Sequence, residues 1–297
     1  MILDKKIPFK YILNKVKLDL TVVFVVGVLT NIFTVNFGRY LPDMPLSIPA
    51  LLGTAISILL SFKMNQSYDR WWEARKVWGA IVNDSRTFVL QLQSFLPSEE
   101  LLVIKKMSYR QIAWCYTLGR SLRGISVNEG FEGLMDLDDQ CGITQHLNKP
   151  LAILQLNSKD LKLLREHHKL EVFTHLQLDN TLLRLTDSMG KAERINGTVF
   201  PSTYRLFLHF TIYLFIITLS ISLKQVNMIF EIPLLLAIAA AFLLIEKSAY
   251  HLQDPFRNRP SDVPVTAIAR TIEINIRQLL GETAVPEPAT PKDFFIL

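Results

Sequence analysis

Catalytic signatures are missing from this 297-residue chain. It carries no HExxH, GxSxG, P-loop or GxGxxG segment, so metalloprotease, hydrolase and nucleotide chemistry have no residues to act through. Cysteine is scarce. The two present, Cys115 and Cys141, form no CxxC pair and stand near no histidine ligand set, which reads as free thiols in a reducing compartment. His167 and His168 are adjacent, so a helix aims them about 100° apart, a poor geometry for a shared metal. Glu171 and His175 lie one turn apart and read first as a solvated helix face. No metal, no cofactor and no enzyme activity are expected. No stretch alternates apolar and polar residues for long enough to argue for a sheet. A cleavable leader is also unexpected, because the lysine-rich start runs into an apolar segment without a small-residue cleavage site. Excess charge is modest at +5. Its basic residues flank apolar runs, which argues for membrane orientation and against a nucleic-acid partner.

What the chain has in abundance is apolar sequence. Hydrophobic residues make up 49% and mean hydropathy is positive, more than one globular core requires. Four long runs account for it: about Leu20 to Phe37, Ser47 to Phe62, Leu206 to Leu223 and Met228 to Ile245. The spacing predicts an all-α membrane protein in five parts. Residues 1–19 form a basic N-terminal segment, 20–62 the first two spans, and 63–203 a large helical region. Residues 204–253 hold spans three and four, and 254–297 a C-terminal helix and tail. Lys5, Lys6, Lys10, Lys15 and Lys17 precede span one, and Lys63, Arg70, Arg75 and Lys76 follow span two, while the connection between them holds only Arg39. The positive-inside rule then places both termini and the middle region in the cytoplasm, and the bacterial inner (plasma) membrane is the expected location.

The organising stretch is SIPALLGTAISILLSFKMNQSYDRWWEAR, Ser47 to Arg75. It passes from apolar to charged with no helix breaker after its first turn. Its apolar part, sixteen residues to Phe62, makes about 24 Å of helix against a hydrocarbon core of about 30 Å, short for a lone lipid-facing span. Gly53, Ser57 and Ser61 form a small-residue stripe suited to close helix approach. Thr54, Ile58 and Phe62 form a second stripe, and Leu52, Ile56, Leu59 and Leu60 a bulky face. Helix packing alone accounts for all of these; a water-filled path narrowed by Ile58 and Phe62 accounts for them equally.

Ser98, Glu99 and Glu100 after Pro97 read as a helix start running to about Arg120. Ser158 to Met189 has helical leucine spacing, and Asp262 to Glu282 reads as an amphipathic helix. Residues 283–297 read as an extended tail, either packed on a neighbouring subunit or disordered. Thr30, Asn31, Thr34 and Asn36 in span one suggest protein neighbours. Glu231 is expected close to the outer end of its span, where it escapes most of the roughly 2.5–3.5 kcal/mol that a charge costs at bilayer centre.

Three segments together resemble a known family, the bestrophin ion channels and in particular their bacterial members: the 47–75 stretch with its Arg70-Trp71-Trp72 triplet, MGKAERINGTVFPSTY at 189–204, and DPFRNRPSDVP at 254–264. The resemblance covers nearly the whole chain. It implies a homopentamer in membrane lipid, four membrane helices per subunit, and a central pore passing monovalent ions, principally chloride. Matched on the triplet, it places a hydrophobic neck at Thr54, Ile58 and Phe62, where Thr54 departs from the bulkier residue usual in the family. Matched from Gly190 and Pro201, it places a cytoplasmic constriction at Phe173, or alternatively Val172; core packing of a helix is the competing reading there. Eukaryotic members carry a calcium-binding acidic run after the fourth span. Here Arg257, Asn258, Arg259, Pro260 and Ser261 occupy it and leave Asp254 and Asp262, so no calcium control is expected. Asn65 and Asp69 continue the neck stripe and no Lys or Arg lies on it, which keeps cation conduction open as an alternative. A non-conducting membrane scaffold or signalling protein is the alternative from another class.

Overall fold

A computed structural model describes residues 1–3, 5–40, 43–198 and 201–297, apart from the Ser202 side chain. Its regular structure is helical, and the described residues form no strand beyond isolated bridges. In chain order the helices are α1 (Phe9–Phe37), α2 (Ser47–Phe95), α3 (Leu101–Leu122), α4 (Leu137–Thr144), α5 (Lys149–Glu166), α6 (Val172–Gly197), α7 (Ser202–Ser222), α8 (Met228–Leu252) and α9 (Val265–Leu279). Four of them, α1, α2, α7 and α8, are long and apolar enough to cross a membrane. Proline sets several starts: Pro8, Pro201 and Pro264 immediately precede α1, α7 and α9. Asn227 caps α8, its side chain accepting from the Ile229 amide at 3.0 Å.

The chain divides into two units. The apolar unit comprises Lys5–Arg70 and Val199–Gln253. Its core is the meeting of α1, the first part of α2, α7 and α8 through Val16, Val23, Ile56, Leu60, Leu208, Ile212, Leu235 and Leu243. Phe215 stands edge-on to Phe242 with ring centroids 5.5 Å apart. Gly53 packs close opposite it: a Cβ there would come within 3.2 Å of the Phe215 ring, which would have to shift by a few tenths of an ångström. Two carboxylates are wholly buried in this unit, both on α8: Glu231 and Glu246. Glu231 accepts from Asn31 Nδ2 at 2.7 Å and Ser220 Oγ at 2.5 Å. This corrects the expectation that Glu231 escapes desolvation by its place near a span end. It is sealed, and the cost is offset by two donors from α1 and α7. Of the polar residues of α1, Asn31 finds a partner on another helix, whereas Thr30, Thr34 and Asn36 donate to carbonyls of α1 itself.

The second, polar unit comprises Met1–Asp4, Trp71–Thr198 and Asp254–Leu297. Its core gathers Trp78, Phe88, Met107, Trp114, Leu118, Leu161, Leu178, Leu185, Ile272 and Ile276 from α2, α3, α5, α6 and α9. Arg110 is buried within it, bound by Asp139 at 2.8 and 3.0 Å and by Asp160 at 2.5 Å. Burial also pushes the Cys115 thiol up to about 12, while Cys141 is exposed.

Boundaries depart from the sequence reading in four places. α1 begins at Phe9, eleven residues before the apolar run. The leucine-spaced stretch from Ser158 is two helices, broken between α5 and α6 where His168 takes a left-handed φ of 56°. The leucine rhythm survives the break because both helices bury leucine in one core. α9 covers Val265–Leu279, shorter at both ends than the amphipathic pattern. The C-terminal tail is ordered on its own chain: Phe294 O accepts from the Leu3 amide at 2.9 Å, and Leu297 O from the Ala267 amide at 2.9 Å.

Candidate functional site

In its first part α2 sorts its side chains by angle. At 3.6 residues per turn, taking Ile56 as zero, Pro49, Gly53, Leu60, Lys63 and Ser67 fall within about 60° of it. These residues are buried or half-buried against α7 and α8 and the rest of the apolar unit. Thr54, Ile58, Phe62, Asn65 and Asp69 fall on the opposite side, between about 160° and 240°. All five are exposed, Ile58 at 52% and Phe62 at 62%. The structure thus brings the five residues into one continuous uncovered stripe. The Thr54 hydroxyl is spent within its own turn, donating to Ala50 O at 2.9 Å. Asp69 makes no ion pair among the described residues. Of the small-residue stripe, Gly53 receives Phe215, while Ser57 and Ser61 are exposed.

Val172 and Phe173 open α6, in the polar unit, after Glu171 in extended conformation. They are exposed at 61% and 80%. The competing reading of Phe173 as helix core is therefore wrong for this chain: the core face of α6 begins at Leu178 and continues through Thr181, Leu182 and Leu185.

Directly behind the α2 stripe lies a group the sequence reading did not assemble. Lys63, the residue after Phe62, is 1% exposed and its Nζ lies 3.1 Å from Glu246 Oε1. Arg205 Nε approaches the same oxygen at 3.5 Å, and His209 Nε2 lies 3.4 Å from Oε2. The Arg205 guanidinium also stacks 4.2 Å from the centroid of the Tyr250 ring. Two basic side chains, Lys63 and Arg205, and the His209 imidazole face one carboxylate. Breaking such a buried pair from one side costs far more than an exposed pair does. The signal in the sequence was a lysine and a glutamate each set at the end of an apolar run; their pairing across 183 positions was not visible.

The arrangement is that of a wall: a membrane helix packed on one side, uncovered and apolar on the other, and braced from behind by charge. Among the described residues no three His, Cys, Asp or Glu side chains converge as a metal site would need.

Known proteins share this sequence and fold. The family model for the bacterial/fungal bestrophin protein matches residues 9–278. A voltage-dependent anion channel-forming protein of Salmonella typhi, YneE, is 30% identical over 243 residues, covering 82% of this chain and 79% of that protein. A protein of the same description from Ralstonia nicotianae is 27% identical over 249 residues, covering 83% and 81%. The crystal structure of a bacterial bestrophin homologue from Klebsiella pneumoniae superposes with a TM-score of 0.84 at 28% identity, covering 91% of this chain and all of that one. With sequence and fold in agreement over nearly its full length, the chain belongs to the bestrophin family of integral membrane proteins.

Proposed function

We propose that this chain forms a homopentameric channel of the bacterial inner membrane, conducting monovalent anions, principally chloride, along its five-fold axis. Thr54, Ile58 and Phe62 line its neck, Val172 and Phe173 a second constriction at the cytoplasmic exit, and Asn65 and Asp69 the wall below the neck. The N-terminus, the polar unit and the tail lie in the cytoplasm. The observation that carries this reading is the uncovered stripe of α2, opposite every packed residue of that helix part. A helix flanked by copies of itself needs no full lipid-facing coat, which accounts for its short apolar length. Apolar side chains at a constriction offer a permeant ion no replacement for its water, so passage is governed by partial dehydration and by the surrounding field. Thr54 makes the upper neck wider and wetter than Ile58 and Phe62 make the lower.

The sign of the permeant ion depends on that field. Lys63 and Glu246 are buried together beside Phe62, and Arg205, about a third exposed, approaches the same carboxylate. Asp69 lies seven residues further on, about 10 Å along the axis, where water reduces a unit charge to about 0.4 kcal/mol. Two basic side chains beside the neck against one screened carboxylate below it favour an anion. The names of the relatives agree with an anion channel.

Reversal potentials of purified protein in a chloride gradient test this. Values close to the chloride equilibrium potential are expected; values close to that of the cation assign the channel to cations, with Asp69 as its selectivity ring. Absence of flux in liposomes moves the protein to the scaffold class. Currents are expected to persist on calcium chelation, and currents that vanish and return with calcium contradict the reading.

A further inference from the structure

We propose that the basic start of α1 is a binding surface for anionic phospholipid headgroups. The surface belongs to the apolar unit alone. α1 has 29 residues, about 43 Å of helix, against a hydrocarbon core of about 30 Å. The apolar part from Leu18 to Phe37 fills that core, which leaves Phe9 to Lys17 crossing the headgroup layer as rigid helix. Lys10 and Lys17 lie two turns apart on one line of this extension, with Leu13 between them. The same line continues into the span at Phe24, which is uncovered. The buried line of α1, through Val16, Val23 and Gly27, lies about 100° round the helix. Lys5 and Lys6 precede the helix and are exposed.

Among the described residues no carboxylate pairs with these four lysines. Asp19, the nearest acid on the helix, is committed to Lys247 at 3.0 Å. None of Lys5, Lys6, Lys10 and Lys17 makes an ion pair among the described residues. Lys15 differs, since its Nζ stands 4.7 Å from the Tyr11 ring centroid.

Lipid is distinguished from a soluble polyanion by what accompanies the charge. Phe9 and Leu18 are each 75% exposed, and Leu13 is exposed beside the lysines. Basic and apolar side chains interleaved at the end of a span match a phosphate above acyl chains. A bare polyanion would leave the apolar residues uncovered. At the opposite end of the unit the basic side chains among the described residues are fewer, Arg39 and Lys224, and Lys224 is paired to Asp43 at 2.5 Å.

Native mass spectrometry of the full-length protein, titrated with short-chain phosphatidylglycerol or phosphatidylcholine, tests this independently of conduction. Preferential retention of phosphatidylglycerol is expected, weakening as ionic strength rises. Lys10→Gln with Lys17→Gln should reduce the preference by about fivefold per lysine, and adding Lys5→Gln with Lys6→Gln should abolish it. All four side chains are exposed, so oligomer size by light scattering serves as the folding control. Equal retention of the two lipids overturns the proposal. So does a preference that survives in the fourfold variant, or one that inorganic phosphate at equal concentration removes.

Discussion

The two sides of α2 in the apolar unit differ in kind. On one side Ile56, Leu60 and Lys63 are sealed, and each has a partner within the chain. On the other Ile58 and Phe62 are as apolar but more than half exposed, with no described residue packed over them. The contrast separates residues kept for folding from residues kept for what happens beyond the single subunit. Large apolar side chains left open in a row need a further explanation than core formation.

That contrast can be broken by substitution. The largest effect is expected from Glu246→Ala, which leaves Lys63 charged and unanswered in a buried site, at about 3–5 kcal/mol. It should appear as loss of monodisperse protein in detergent. Combining Glu246→Leu with Lys63→Met should restore most of the yield, since replacing both members of a buried pair is often neutral. If the single change is tolerated as well as the double, the sealed side does not depend on the pair.

Ile56→Ala comes next. Lipid is as apolar as a side chain, so chiefly the packing loss remains, about 1–2 kcal/mol in thermal-inactivation measurements. Phe62→Ala and Ile58→Ala should each change stability by under about 0.5 kcal/mol and raise unitary conductance in planar bilayers. Unchanged currents in both would move the gate elsewhere, and a stability loss equal to that of Ile56→Ala would place Phe62 among packed residues. The smallest effect is expected from Asp69→Asn: no change in stability, and a shift of a few millivolts in reversal potential toward chloride, consistent with a screened charge about 10 Å from the neck.

Much of this architecture was legible from local pattern. Apolar runs identified the four spans, and the angular sorting of α2 followed from spacing alone, because helical period depends only on nearby residues. Pro97 and Pro201 marked real boundaries. What escaped was long-range pairing. Nothing in the neighbourhood of Glu231 announces Asn31, 200 positions away, and nothing beside Lys63 announces Glu246. The break at His168 escaped because the apolar period continues on both sides of it. Phe173 shows the converse: an aromatic at helical spacing looks like core until the turn preceding it sets its direction, and it is exposed.

The two buried glutamates of α8 also bear on how the protein enters its membrane. α7 and α8 are joined by a turn of a few residues, so insertion as a hairpin is expected. Glu231 has one partner within that helix pair, Ser220, and Glu246 has two, Arg205 and His209. Each acid has one more from the half synthesised earlier, Asn31 and Lys63. A hairpin inserted in that order would carry its charges already sheltered, and the earlier half would add the two contacts that lock it in place.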